Sequence, residues 1–167
     1  MNFSAAPSED LLFDAARRGD VPALRELLAA GLAVDTANAR GFTSLVLAAY
    51  DNHPEATTFL LDAGANPNAQ DITGNTALMG ISFKGYSDIA RLLIARGADI
   101  NLQNGIGGTA LMYATMFGHN DLVQLLLDAG ADRSLADERG LTALQLAGQH
   151  GNEQARKLLG GQAQAAE

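Results

Sequence analysis

Gly74-Asn75-Thr76-Ala77-Leu78 recurs as Gly41-Phe42-Thr43-Ser44-Leu45, Gly107-Gly108-Thr109-Ala110-Leu111 and Gly140-Leu141-Thr142-Ala143-Leu144, each copy 33 residues from the next. A period of this length, kept this strictly, signals stacked repeats, so every other residue has to be read in its register. In such a stack each unit touches only its neighbours, and stability is a sum over repeats and the interfaces between them.

Within the period, positions explain one another. Asn38, Asp71, Asn104 and Asp137 stand three residues before the glycines. An Asx residue followed by a glycine of positive φ makes a tight turn, which predicts a hairpin-like finger in each repeat. Thr43, Thr76, Thr109 and Thr142 then open a first helix. The pairs Leu45/Ala48, Leu78/Ile81, Leu111/Ala114 and Leu144/Ala147, three apart, supply its apolar face. Asn52, Gly85, Gly118 and Gly151 end that helix, being residue types that tolerate a left-handed cap. A second helix carries Leu60-Leu61, Leu92-Leu93-Ile94 and Leu125-Leu126-Leu127 and stops at Gly64, Gly97 and Gly130. The chain is therefore expected to be all-α, with about ten helices in repeats 8–37, 38–70, 71–103, 104–136 and 137–160.

The outer repeats differ as caps should. The first lacks the Gly-x-Thr start, but Gly19 closes one helix, and Asp20 and Pro22 cap and open the next, which Gly31 ends. In the last, Glu153–Lys157 is polar and Gly160-Gly161 breaks the helix. Residues 1–7 read as a disordered arm and 161–167 as a mobile tail.

Composition narrows the function. A net charge of −8 and a pI near 4.7 argue against nucleic acid, whose phosphates call for a basic stripe. No run of 18 apolar residues offers a membrane span, and the absence of cysteine removes disulfides, thiolate metal sites and cysteine nucleophiles. The N-terminus has no basic start or apolar run of signal-peptide length, so the expected location is cytoplasmic, or periplasmic if a leader has been removed. Asn2-Phe3-Ser4 matches a glycosylation tripeptide that arises often by chance.

Catalytic and metal chemistry find no footing. His53, His119 and His150 include no pair four residues apart, as a helical metal site would need, and are read as structural or surface residues. The finger carboxylates lack the distal glutamate of a calcium loop. Gly105-Ile106-Gly107-Gly108 has no Lys-Thr after it and no strand before it, so it reads as a finger tip rather than a phosphate cradle. Ser44, Ser82, Ser87 and Ser134 lack the Gly-x-Ser-x-Gly elbow. No cofactor and no metal are implied, and no enzyme is expected.

The unit Asp71-x-x-Gly74-x-Thr76-Ala77-Leu78 … Gly85-Tyr86-Ser87-Asp88 … Leu92-Leu93-Ile94 … Gly97-Ala98-Asp99-Ile100-Asn101 resembles the ankyrin repeat, as does Gly118-His119-Asn120-Asp121 … Gly130-Ala131-Asp132. The resemblance covers nearly the whole chain and implies an ankyrin-repeat solenoid. It departs in one respect. Where the family usually has Thr-Pro-Leu-His, this chain has Thr43-Ser44-Leu45-Val46, Thr76-Ala77-Leu78-Met79, Thr109-Ala110-Leu111-Met112 and Thr142-Ala143-Leu144-Gln145. The histidine that usually ties adjacent repeats is missing, so cohesion is expected to rest on apolar packing. That wording, with Met112-Tyr113 and Met116-Phe117-Gly118, is similar to small bacterial ankyrin proteins, some of which act beside catalases in peroxide defence.

What the resemblance implies about function is a protein partner, docked on the concave face formed by finger tips and first helices. The slots on that face hold Phe42, Tyr50, Ile72, Phe83, Ile106, Met116, Phe117 and Leu141. Tyr50, Phe83 and Met116 are one period apart and should form a ladder. Aromatic and methionine side chains are enriched at interface cores. Two alternatives stand beside this reading. The ladder could be wedged between repeats and serve only the stack, or it could join two copies of the chain. A monomer is expected, with a homodimer as the alternative.

Overall fold

The computed structural model describes residues 8–160; the arm expected at 1–7 and the tail at 161–167 lie outside them. Among the described residues there are ten helices, paired as α1 (Glu9–Arg18) and α2 (Val21–Ala29), α3 (Ser44–Tyr50) and α4 (Pro54–Asp62), α5 (Ala77–Lys84) and α6 (Ser87–Ala95), α7 (Ala110–Met116) and α8 (Asn120–Asp128), and α9 (Ala143–Gln149) and α10 (Glu153–Gly160). First helices pack on first helices and second on second, each pair closing as a hairpin. Two parallel layers result.

Local chemistry sets the boundaries. Thr43, Thr76, Thr109 and Thr142 each accept a hydrogen bond from the backbone N–H three residues on, satisfying one of the orphan donors of a helix start. Ser8 and Asp20 do the same for α1 and α2. Asn52, at φ 61°, is the one non-glycine among the described residues in the left-handed region, where its short amide is tolerated. α10 runs through Gly160, so the expected break does not fall before that residue.

The core lies between the layers and continues from repeat to repeat. Leu12, Leu24, Leu45, Leu60, Leu78, Ile81, Leu93, Leu111 and Leu126 are all at most 2% exposed. Leu144 belongs to the same slot as Leu45, Leu78 and Leu111, yet is 40% exposed, because among the described residues no further repeat packs on it.

Each finger is closed by its Asx residue. The Asn38 side chain accepts from the N–H groups of Arg40 and Phe42, and Asp71, Asn104 and Asp137 repeat the pattern. Successive fingers are joined by backbone bonds, Ile72 N–H to Arg40 O at 3.1 Å, Gly105 N–H to Thr73 O at 2.9 Å and Glu138 N–H to Ile106 O at 2.9 Å. A second row joins the loops after the second helices: Asp35, Asn68 and Asn101 accept from the N–H groups of Asn66, Asp99 and Asp132.

Repeat cohesion is not apolar alone, which corrects the expectation drawn from the missing Thr-Pro-Leu-His histidine. His53 Nε2 donates to Arg17 O at 2.7 Å and His119 Nε2 to Phe83 O at 2.9 Å. A carbonyl only accepts, so Nε2 must carry the proton. These imidazoles precede the second helices and reach the C-terminal carbonyls of the previous repeat's first helix.

Candidate functional site

Fingers and first helices wall a hollow of about 880 Å³ that reaches from the first repeat to Tyr113 of the fourth, with Phe42, Val46, Tyr50, Gly80, Phe83 and Tyr113 on its apolar side and Asn38, Asp71 and Asn75 toward the fingers. Gly80 opens the hollow. The same slot holds Leu47, Tyr113 and Leu146 in other repeats, and a side chain at Gly80 would begin 3.3 Å from the Tyr50 ring. A helical glycine costs roughly 1 kcal/mol relative to alanine. The chain bears that cost where the ring lies.

The eight anticipated residues separate by register. Tyr50 and Phe83, each 39% exposed, stand on the groove as adjacent rungs. Met116, the third rung by spacing, is half-buried against the core, and Phe117 instead meets Phe83, ring centroids 4.5 Å apart and edge to face. Ile72 and Ile106 are exposed at the finger tips. Phe42 and Leu141 are half-buried, because both directly precede a capping threonine, which places them at the finger's base against the core. Counting slots separates these two from Ile72 and Ile106.

A polar chain missed in the sequence braces the groove floor. Asn104, buried, donates from Nδ2 to Asn75 Oδ1 at 2.7 Å and to the Tyr113 hydroxyl at 2.9 Å. Asn75 in turn donates to Thr73 Oγ1, and Thr73 to Asp71 Oδ1, both at 2.7 Å. The signal was Asn75 in a slot that is apolar at Phe42 and Leu141.

A family model described as ankyrin repeats in three copies matches residues 12–104 and again 78–166. The chain belongs to the ankyrin-repeat family. No individual protein of curated function matches it at a significant level. Ankyrin repeats are general protein–protein interaction modules, and the family is typically a non-catalytic scaffold.

The carboxylates shifted in this ankyrin stack are ones that hold its turns. Burial pushes the Asp71 carboxyl upward, but hydrogen bonds from the Thr73 hydroxyl and the Asn75 and Thr73 amides together hold it below its ordinary value. Asp132 is lowered by the Ser134 hydroxyl and amide, and Asp137 chiefly by the Leu141 amide. Each carboxylate is committed to its own loop. Among the described residues no group of three or more His, Cys, Asp or Glu side chains could hold a metal, and no helix is long and apolar enough to cross a membrane.

Proposed function

We propose that this ankyrin-repeat chain is a non-catalytic binding module that docks a partner protein along the groove between its fingers and first helices. One observation carries the reading: Tyr50 and Phe83 stand exposed on adjacent repeats, continued by Phe117, beside a hollow opened by Gly80. Large aromatic rings left in water over a concave apolar floor mark recognition surfaces, and a few such residues carry most of the binding energy. Ile72 and Ile106 extend the surface along the finger tips. Each ring also touches the next repeat, Tyr50 against Gly80 and Phe83 against Phe117, yet both keep a face open to the groove, and that open face supports recognition over packing alone.

The test is a paired measurement on the Tyr50→Ala/Phe83→Ala double variant. Recovery of partners from the native extract should be lost while the melting temperature falls by no more than a few degrees. An early-melting variant, or a folded one that still captures the same partner, refutes the groove as the site. Self-association through the same rungs is the competing outcome, and sedimentation over a concentration series separates it.

A further inference from the structure

The imidazole ties leave one junction out. Between the first and second repeats, His53 lies against Gly19; between the third and fourth, His119 lies against Gly85. Between the fourth and fifth, Asn152 Nδ2 donates to Thr115 O at 2.9 Å. Between the second and third, the same two slots hold Asn52 and Tyr86. Among the described residues Tyr86 donates no hydrogen bond across the junction, and no side chain of the third repeat donates to the Tyr50 carbonyl, the counterpart of those of Arg17 and Phe83.

The two departures explain each other. A Cβ on Gly19 would fall 2.6 Å from Nδ1 of His53, and one on Gly85 2.5 Å from Nδ1 of His119. The clip therefore requires glycine in the preceding repeat, and Asn52 fits only where no imidazole is seated.

What stands in for the clip is softer. The Lys84 ammonium lies 4.8 Å from the Tyr50 ring centroid and 5.9 Å from that of Tyr86. A cation over an exposed ring has no single bond direction and tolerates sliding. Gly80 adds room at the same place, with only the Tyr50 ring against it. The other rows stay pinned. Ile72 N–H reaches Arg40 O, Asn68 accepts from Asp99 and donates to Gly97 O, and Arg96 pairs with Asp62. The fingers and second helices thus form an axis, while the C-terminal ends of α3 and α5 are joined by side-chain packing and the Lys84 contact, with no hydrogen-bonded clip.

We infer that the junction between the second and third repeats is a compliant joint, at which the groove widens between Tyr50 and Phe83. The joint rests on hydrogen-bond geometry and holds whatever the groove takes.

Residue-resolved NMR on the full chain tests it. The amides of His53, Tyr86 and His119 make the same backbone bond in three repeats, to Ala48 O, Ile81 O and Ala114 O. In the wild type, Tyr86 should exchange with deuterium about five- to tenfold faster than the other two, as expected for one missing hydrogen bond. Microsecond–millisecond relaxation dispersion should centre on Tyr50 and Gly80. Asn52→Gly/Tyr86→His should install the clip, slow residue 86 to within about twofold of the others and quench the dispersion, with Asn52→Gly alone doing neither. Gly85→Asn/His119→Tyr copies the joint one repeat on and should speed residue 119 by the same factor, a reading that survives if the first variant fails to fold. Equal protection of the three amides in the wild type, or no shift of the ratio in a folded clip variant, overturns the joint.

Discussion

Replacing Gly74 by alanine should cost far more than replacing Gly140, although both are finger glycines at positive φ, 83° and 76°. An L side chain in the left-handed region costs roughly 1–2 kcal/mol, and this applies to both. At Gly140 nothing else is met within 4 Å. At Gly74 the new Cβ would lie 2.8 Å from the Gly105 nitrogen and 3.1 Å from the Asn104 Cα, backbone atoms with no rotamer to swing aside. The finger of the fourth repeat has to back away, which breaks the 2.9 Å bond from Gly105 N–H to Thr73 O and strains the 2.7 Å contact from Asn104 to Asn75. One lost hydrogen bond adds about 0.5–1.5 kcal/mol. Gly74→Ala should therefore cost about 1.5–3.5 kcal/mol and Gly140→Ala about 1–2. Urea denaturation followed by far-ultraviolet circular dichroism gives both values from the midpoint and slope. Costs within about 0.5 kcal/mol of each other, or a larger one at Gly140, would refute the claim that stacked fingers select the glycine.

Leu93→Ala and Leu126→Ala, both fully buried in central repeats, should each cost about 2–5 kcal/mol in the same titration; less than about 1 would show that the layer assignment is wrong. Ser44 is fully buried with an unpartnered hydroxyl, where other repeats have Ala77, Ala110 and Ala143, so Ser44→Ala should stabilise by about 1 kcal/mol, and a destabilisation would reveal a hidden partner. Asp71 has its folded-state pKa below the ordinary 3.8, so its stabilising contribution is complete above that value and is lost as pH falls through the folded value. Asp71→Asn, which copies Asn38 and Asn104, should lose less stability than the wild type between pH 6 and about pH 3. An unchanged difference between the two pH values would count against the turn-holding carboxylate.

Whatever depends on neighbours along the chain was legible. The threonine caps, the Asx turns and the left-handed stops each act over two to four residues, and the strict period repeats them, so helix order and core slots follow directly. Leu144 shows the limit of periodic reasoning, because its slot is buried only where another repeat follows. Contacts a full period away were harder to see. The role of His53 depends on a carbonyl 36 residues earlier, and its visible trace was the pairing of Gly19 with His53 and Gly85 with His119 against Asn52 with Tyr86. The groove was half legible. Spacing picks out Tyr50 and Phe83, but Met116 and Phe117 are adjacent, and only the packing of α7 decides which turns in. What Gly80 leaves open depends on the Tyr50 ring 30 residues earlier, a contact that local sequence does not carry.

Each bond between repeats, whether through an imidazole, a finger or an Asx loop, reaches about one period and no further among the described residues. Duplicating or deleting one period of coding sequence would therefore leave the remaining contacts in register. The groove behaves as a ruler graduated in whole repeats. Its soft graduation, marked by Asn52 and Tyr86, would travel with the copied segment, so lineages of such a chain could change where the groove yields without inventing a new contact.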